Sequence, residues 1–246
     1  MRKIFFDNNE YYHIYNRGVN KQNIFIDEKD FWKFFDNLRD FNNDSAYEER
    51  LNAIGLHAHS FDFKEPSALK VKVDYKALGS FLETQEKVVD VISYTINPNH
   101  PHLILKQLKN KGISNFMHKV GLSYTNYFNK NYGHSGHVFQ GQFKAIHIDS
   151  EQYLLWLIGY VNGNIAIHGL DDAENYPWSS YGAIFKALGA LKNKEPSALS
   201  NLSVLSGLEA VLPQFSSPEE FKKFVKQVIK ESKENKAMKK YLLEDI

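Results

Sequence analysis

The chain has 246 residues, of which 43% are hydrophobic and 14% aromatic, with a formal net charge of +1. That length and apolar content support one large domain, or one domain with an extension. The absence of cysteine excludes disulfides and thiolate zinc sites, and suits a reducing compartment. No apolar run reaches membrane-spanning length, and Met1–Asp7 lacks the long apolar stretch of a secretory signal. The expectation is a soluble, cytoplasmic protein with no membrane partner.

Tyr11 to Val19 (YYHIYNRGV) alternates and is rich in Tyr and Ile, which predicts a strand ended by Arg17-Gly18. Asp27 to Phe41 predicts a helix, with Phe31, Phe34, Phe35 and Leu38 at helical spacing and Asp27 as N-cap. Residues 42–86 read as an insertion. They hold a charged helical piece from Tyr47 to Leu56, a second H-x-H at His57 and His59, and the hexapeptide KEPSAL, which recurs at 194–199. Val88 to Ile96 predicts a strand, and Pro101 to Lys106 its continuation or hairpin partner. A helix follows from Ile113 to Asn131, ending near Gly133, and then a strand from Phe143 to Ile148.

Asp149 or Ser150 caps the next helix, whose apolar body runs from Leu154 to Val161. Tyr176-Pro177-Trp178-Ser179-Ser180 reads as a turn anchored by its Trp. Ser217-Pro218-Glu219-Glu220 opens a last helix: a capping Ser, Pro at the first helical position, then acids. The core order is strand, helix, strand, strand, helix, strand, helix. It predicts a ferredoxin-like α+β fold, an antiparallel sheet with helices on one face. The expected division is a domain over 1–185 and a helical C-terminal extension over 186–246.

The small net charge hides an uneven distribution. From Val91 to Ile148 there is no acid, six lysines and six histidines, a formal +6 that leaves −5 for the rest. Phe116, Tyr124, Tyr127, Phe128 and Phe139 interleave with those cations. Lysines neutralise phosphates and aromatic faces stack on unpaired bases, so the mixture suits single-stranded nucleic acid. A locally basic face with core aromatics is the plainer alternative.

His100-Pro101-His102 carries the most specific chemistry. Alternate residues of a strand share a face, so the two imidazoles stand side by side as ligands for a divalent metal. Tyr160 and Asn164 lie four residues apart on a predicted helix and share its face. The Asn oxygen suits a hard ion such as Mg²⁺ or Mn²⁺, and the Tyr is a potential covalent nucleophile. The competing readings are a packed interfacial Tyr160, rival tyrosines at 124 and 127, and an Asn164 that caps the helix. His57 and His59 read as surface polarity.

Six stretches in order resemble the single-tyrosine HUH transposases, most closely the REP-associated tyrosine transposases. They are Tyr12–Gly18 with Ile24-Phe25, Asn97–Leu103, Ser123–Asn129, Gly136–Lys144, Tyr160–Asn164 through Leu170, and Tyr176–Ser180. The resemblance spans about Tyr11 to Tyr181. It implies the HUH endonuclease fold, with His100 and His102 as metal ligands, Asn164 as their helix-borne polar partner and Tyr160 as nucleophile. It further implies Mg²⁺ or Mn²⁺, a 5′-phosphotyrosine intermediate, and single-stranded or hairpin DNA as partner, hence a nucleoid-associated location. Monomer and homodimer are both open. His13, Arg17, Lys106, Lys119 and Lys144 are candidate phosphate contacts, Gln140 a candidate for ordering the strand, and Tyr124 and Tyr127 side chains that pack or stack on DNA. The sequence departs from the family at Pro101, between the two histidines, and at Ile165-Ala166 after the Asn.

Overall fold

A computed structural model describes residues 4–42, 87–192 and 204–234. The expectations for the insertion, for His57 and His59 and for both KEPSAL copies lie outside the described residues. The core elements are β1 (Tyr11–Tyr15), α1 (Glu28–Asp40), β2 (Val89–Asn97), β3 (His100–Gln107), α2 (Gly112–Tyr132), β4 (Lys144–Ile148) and α3 (Glu151–Ile167). Beyond them come α4 (Tyr181–Lys192) and α5 (Pro218–Glu234). The sheet is antiparallel in the order β2-β3-β1-β4, the ferredoxin-like arrangement.

Local chemistry sets the element ends. The Asp27 side chain accepts from the backbone N–H of Lys29 and Asp30, and the Asp30 carboxylate returns to the Asp27 N–H, closing a capping box on α1. Gly133 ends α2 in the left-handed conformation that glycine tolerates best. Ser150 caps α3 by accepting from the Tyr153 N–H. Pro98 and Asn99 turn the β2–β3 hairpin, so Pro101 begins a hairpin partner rather than a continuation. Pro101 is the second residue of β3, where a missing ladder donor is best tolerated. It faces away from the histidines and leaves them on one side of the sheet.

The two faces of the sheet differ in kind. One carries Tyr12, Ile14, Tyr94 and Leu103, all buried, and is covered by α1 and α2; Phe35 of α1 meets Tyr94 edge-on at 5.9 Å. The other carries His13, Ser93, Thr95, Asn97, His100 and His102, also buried, and is covered by α3. Helices therefore occupy both faces, not one. The single-face expectation counted only the two crossover helices and gave no place to α3.

The C-terminal extension packs into this same core. Ser206 and Gly207 donate backbone N–H groups to the Val91 carbonyl, and Ser180 donates to Tyr94, so chain segments seal the outer edge of β2. Val204, Val211, Phe221, Val225 and Val228 belong to the main apolar cluster. No helix among the described residues is long and apolar enough to cross a membrane.

Candidate active site

The site begins with strand parity. Asn97 pairs with His100, Thr95 with His102, and Tyr15 with His102 from the other side, which sets these side chains on the face under α3. The His100 and His102 rings meet edge-on with centroids 4.9 Å apart. A loop holds the hairpin from outside: Gly18 donates to the Asn99 carbonyl at 2.8 Å, and Ile24 and Phe25 donate to that of Pro98 at 2.8 and 2.9 Å. A Cβ on Gly18 would stand 2.3 Å from the Gln22 carbonyl oxygen, so the loop closes only around glycine. This contact is why Arg17-Gly18, Ile24-Phe25 and Asn97–His102 occur together in the sequence.

α3 brings the other two groups. The Tyr160 ring stands edge-on to His102 at 6.0 Å and to His13 at 6.4 Å, and stacks on Trp156 at 5.3 Å. One turn on, the Asn164 Oδ1 accepts from Asn97 Nδ2 at 2.5 Å, and the same amide reaches His100 Nε2 at 3.1 Å. His100 Nδ1 bonds the Asn99 side-chain oxygen, an acceptor, so the proton sits on Nδ1 and Nε2 carries a lone pair. His100, His102, Tyr160 and Asn164 are thus gathered in one chain, and all are buried. Asn164 lies inside α3, whose C-cap is His168, so it is not a helix cap.

The donor set fits a divalent cation. The amide hydrogens of Asn97 sit between the His100 lone pair and the Asn164 oxygen, the positive end of a dipole where a cation would find two acceptors. His102 Nε2 is buried without a hydrogen-bond partner, as is Asn97 Oδ1. Burial, with His100, His13, His168 and Arg17 nearby, holds the His102 imidazole well below the ordinary histidine range. It is therefore neutral, the state a ligand needs. Among the described residues no three His, Asp or Glu side chains are arranged to hold a metal. Two neutral imidazoles and an amide oxygen would together offer a divalent cation three ligand atoms.

Three residues in the cluster carry roles that the sequence reading did not assign. His13 Nε2 lies 2.9 Å from His102 Nδ1. Asn97 bridges the β2–β3 hairpin and α3. The exposed His168 ring stands 5.2 Å from His100. His168 was detectable, because Tyr160, Asn164 and His168 continue a four-residue stripe. The contacts of His13 and Asn97 depend on register and hairpin geometry, which no local pattern encodes.

The candidate DNA contacts divide. Arg17, Gln140 and Lys144 lie at the histidine end of the sheet: Gln140 donates its N–H to the Arg17 carbonyl at 2.7 Å, and Lys144 pairs with Tyr15 and lies over its ring at 5.9 Å. Lys106 shares the histidine face but lies two same-face positions beyond His102, about 13 Å along the strand. Lys119, Tyr124 and Tyr127 belong to α2, across the sheet from the histidines. Tyr124 has no exposed surface, and its hydroxyl bonds the Ile24 carbonyl. Stacking of Tyr124 on DNA is therefore corrected to core packing. The half-buried Tyr127 donates to Asp30 at 3.0 Å. A cleft of about 980 Å³ also opens on the α2 side, lined by Phe34, Pro101, Met117 and Phe139, and His100, His102 and Tyr160 are not part of its lining.

The model of the family described as "Transposase IS200 like" matches residues 69–164, a segment that holds His100, His102, Tyr160 and Asn164. No curated protein matches the chain. Among solved structures, a REP-associated tyrosine transposase bound to a REP hairpin superposes with a TM-score of 0.50 at 10% identity, over 77% of this chain and 86% of that one. A tRNA(His) guanylyltransferase from Saccharomyces cerevisiae reaches a TM-score of only 0.27 at 14% identity, over 95% of this chain and 82% of that one, and carries no argument. Motif order, fold and the segment match agree: the chain resembles the IS200-like transposases through its candidate site, and it has the fold of a REP-associated tyrosine transposase.

Proposed function

We propose that this protein cuts single-stranded or hairpin DNA and rejoins strands, with Tyr160 as nucleophile and a divalent cation held by His100, His102 and Asn164. The observation that carries this reading is the convergence of the Tyr160 ring and the Asn164 carboxamide, one helical turn apart, on the two strand-borne imidazoles. Such a buried polar cluster is costly unless it serves a purpose, because each group needs a partner that water would otherwise supply. When bound, the cation supplies stabilisation of charge on the phosphate oxygens and orients the scissile bond.

The remaining chemistry belongs to the chain. The Tyr160 phenol oxygen forms a bond to phosphorus and the bond from phosphorus to the 3′ oxygen breaks. The phenol loses its proton and the departing oxygen takes one up, leaving a 5′-phosphotyrosine and a free 3′-OH. A 3′-OH attacking that linkage reverses the step and joins strands. Arg17 and Lys144, at the same end of the sheet, would hold flanking phosphates. The solved relative of this fold is bound to a REP hairpin, which makes hairpin DNA the first substrate to test.

A second reading, a DNA-binding derivative that no longer cleaves, draws support from the burial of Tyr160, which has no exposed surface. An end-labelled hairpin oligonucleotide with Mg²⁺ or Mn²⁺ separates the two. Strand transfer predicts a protein–DNA adduct that disappears in Tyr160→Phe. The binding-only reading predicts salt-sensitive association and no cleavage. Cleavage that survives Tyr160→Phe but stops in His100→Ala would identify a hydrolase without a covalent tyrosine.

A further inference from the structure

We propose that His13 is a positioning residue that orients His102 by accepting from its Nδ1–H, an inference that rests on His102 being a metal ligand. His13 lies on β1, opposite Ile104, and is fully buried. Its side chain shares the polar face with His102, the rings stacking at 5.2 Å with 18° between planes, and Nε2 stands 2.9 Å from His102 Nδ1. One proton is shared along that line. If His13 donated it, the His102 proton would sit on Nε2 and close that nitrogen to a cation. If His102 donates from Nδ1, its Nε2 keeps a bare lone pair, the arrangement a metal ligand requires.

Ligating histidines commonly donate their second ring N–H to a carboxylate, carbonyl or water. Here the acceptor is a neutral imidazole, so His102 gains orientation with no added negative charge. Tyr15 narrows the freedom further, its ring lying 5.9 Å from His102 and 5.5 Å from His13. His100 is oriented by a different device, the Asn99 oxygen. The two ligands are therefore set by separate second partners, one from the hairpin turn and one from the neighbouring strand.

Two measurements on the full chain test this. In protein carrying ¹⁵N-histidine and saturated with Mg²⁺, NMR should find the His102 proton on Nδ1, hydrogen-bonded to His13 Nε2; a His102 Nδ1 proton without that bond overturns the proposal. The second is Mn²⁺ binding, followed by the EPR signal of the free ion, with His102→Ala as the ligand-loss control. His13→Phe, which removes the acceptor, should weaken binding about 10- to 100-fold, while His13→Gln, which restores an acceptor, should stay within roughly threefold of wild type. Wild-type affinity in His13→Phe, or equal loss in both His13 variants, overturns the role of His13 and leaves His102 as a ligand. Equal Mn²⁺ binding by wild type and His102→Ala would sink the ligand reading itself. Should His13→Phe fail to fold, the NMR measurement and His13→Gln decide.

Discussion

At the scale of single residues, Asn164 does two jobs that are usually separate. It sits in the interior of a helix, where Asn is a mediocre helix former, and its carboxamide joins α3 to the β2–β3 hairpin through Asn97. Asn164→Leu keeps the branched shape and removes the oxygen. The account predicts that Mn²⁺ binding and DNA cleavage both fall at least about tenfold. The thermal midpoint should fall too, by the equivalent of about 1–3 kcal/mol, because the buried Asn97 amide loses its acceptor. Calorimetry of the metal titration and a melting curve on one preparation check both halves. Asn164 and Tyr160 were legible in the sequence because an i, i+4 pair has one geometric meaning on a helix. His13 was legible only as a basic residue, since its partner lies 89 positions away across a strand pair.

At the scale of elements, two joints hold the site-bearing frame. The first ties α1 to α2. Asp30, fully buried, accepts from the backbone of Ile26 and Asp27 and from the hydroxyls of Tyr127 and Tyr132 at 3.0 and 2.8 Å. Asp30→Ala strands those donors and should cost about 2–4 kcal/mol in urea unfolding, more than an ordinary cap loss. The second joins α3 to α5. A Cβ on Gly159 would stand 2.8 Å from both Phe224 and Val228, so α5 reaches α3 only over a glycine notch. Gly159→Leu should destabilise by about 1–3 kcal/mol through overpacking. It should also lower DNA cleavage, because Tyr160 is the next residue on the displaced helix; unchanged cleavage would show that α5 does not set the position of Tyr160.

Element existence was readable where period and caps agreed, as in α1, α2 and α5. The burial of Tyr124 was readable too, since Ile113, Phe116, Val120, Tyr124 and Phe128 form one apolar stripe. Stacking on DNA stayed beside packing as a reading because the basic charge of the segment was weighed against that stripe. Packing of the extension into the core depends on long-range edge contacts with Val91, which composition does not encode.

At the scale of the whole molecule, the acid-free stretch from Val91 to Ile148 passes through both faces of the sheet, and only part of it reaches the site. Lys144, exposed beside Tyr15, is the clearest candidate for a phosphate contact on the histidine side. Lys144→Ala should weaken hairpin binding and reduce the slope of log affinity against log salt by about 1, whereas Lys119→Ala, across the sheet, should change neither. Fluorescence anisotropy at several salt concentrations reads both slopes. The fold itself was legible as a whole, because the order of seven elements admits few sheet topologies. The covering of the second face by α3 was not, since chain order says nothing about which face a seventh element selects.

The central claim is that the buried phenol of Tyr160 becomes the covalent attachment point for DNA. It is tested most directly by trapping the protein with a hairpin oligonucleotide in Mn²⁺, digesting both components and locating the modified peptide by mass spectrometry. The account predicts a single nucleotide-bearing peptide, modified at Tyr160 and missing from His102→Ala. Modification at another tyrosine, or efficient cleavage with no modified peptide, would contradict it.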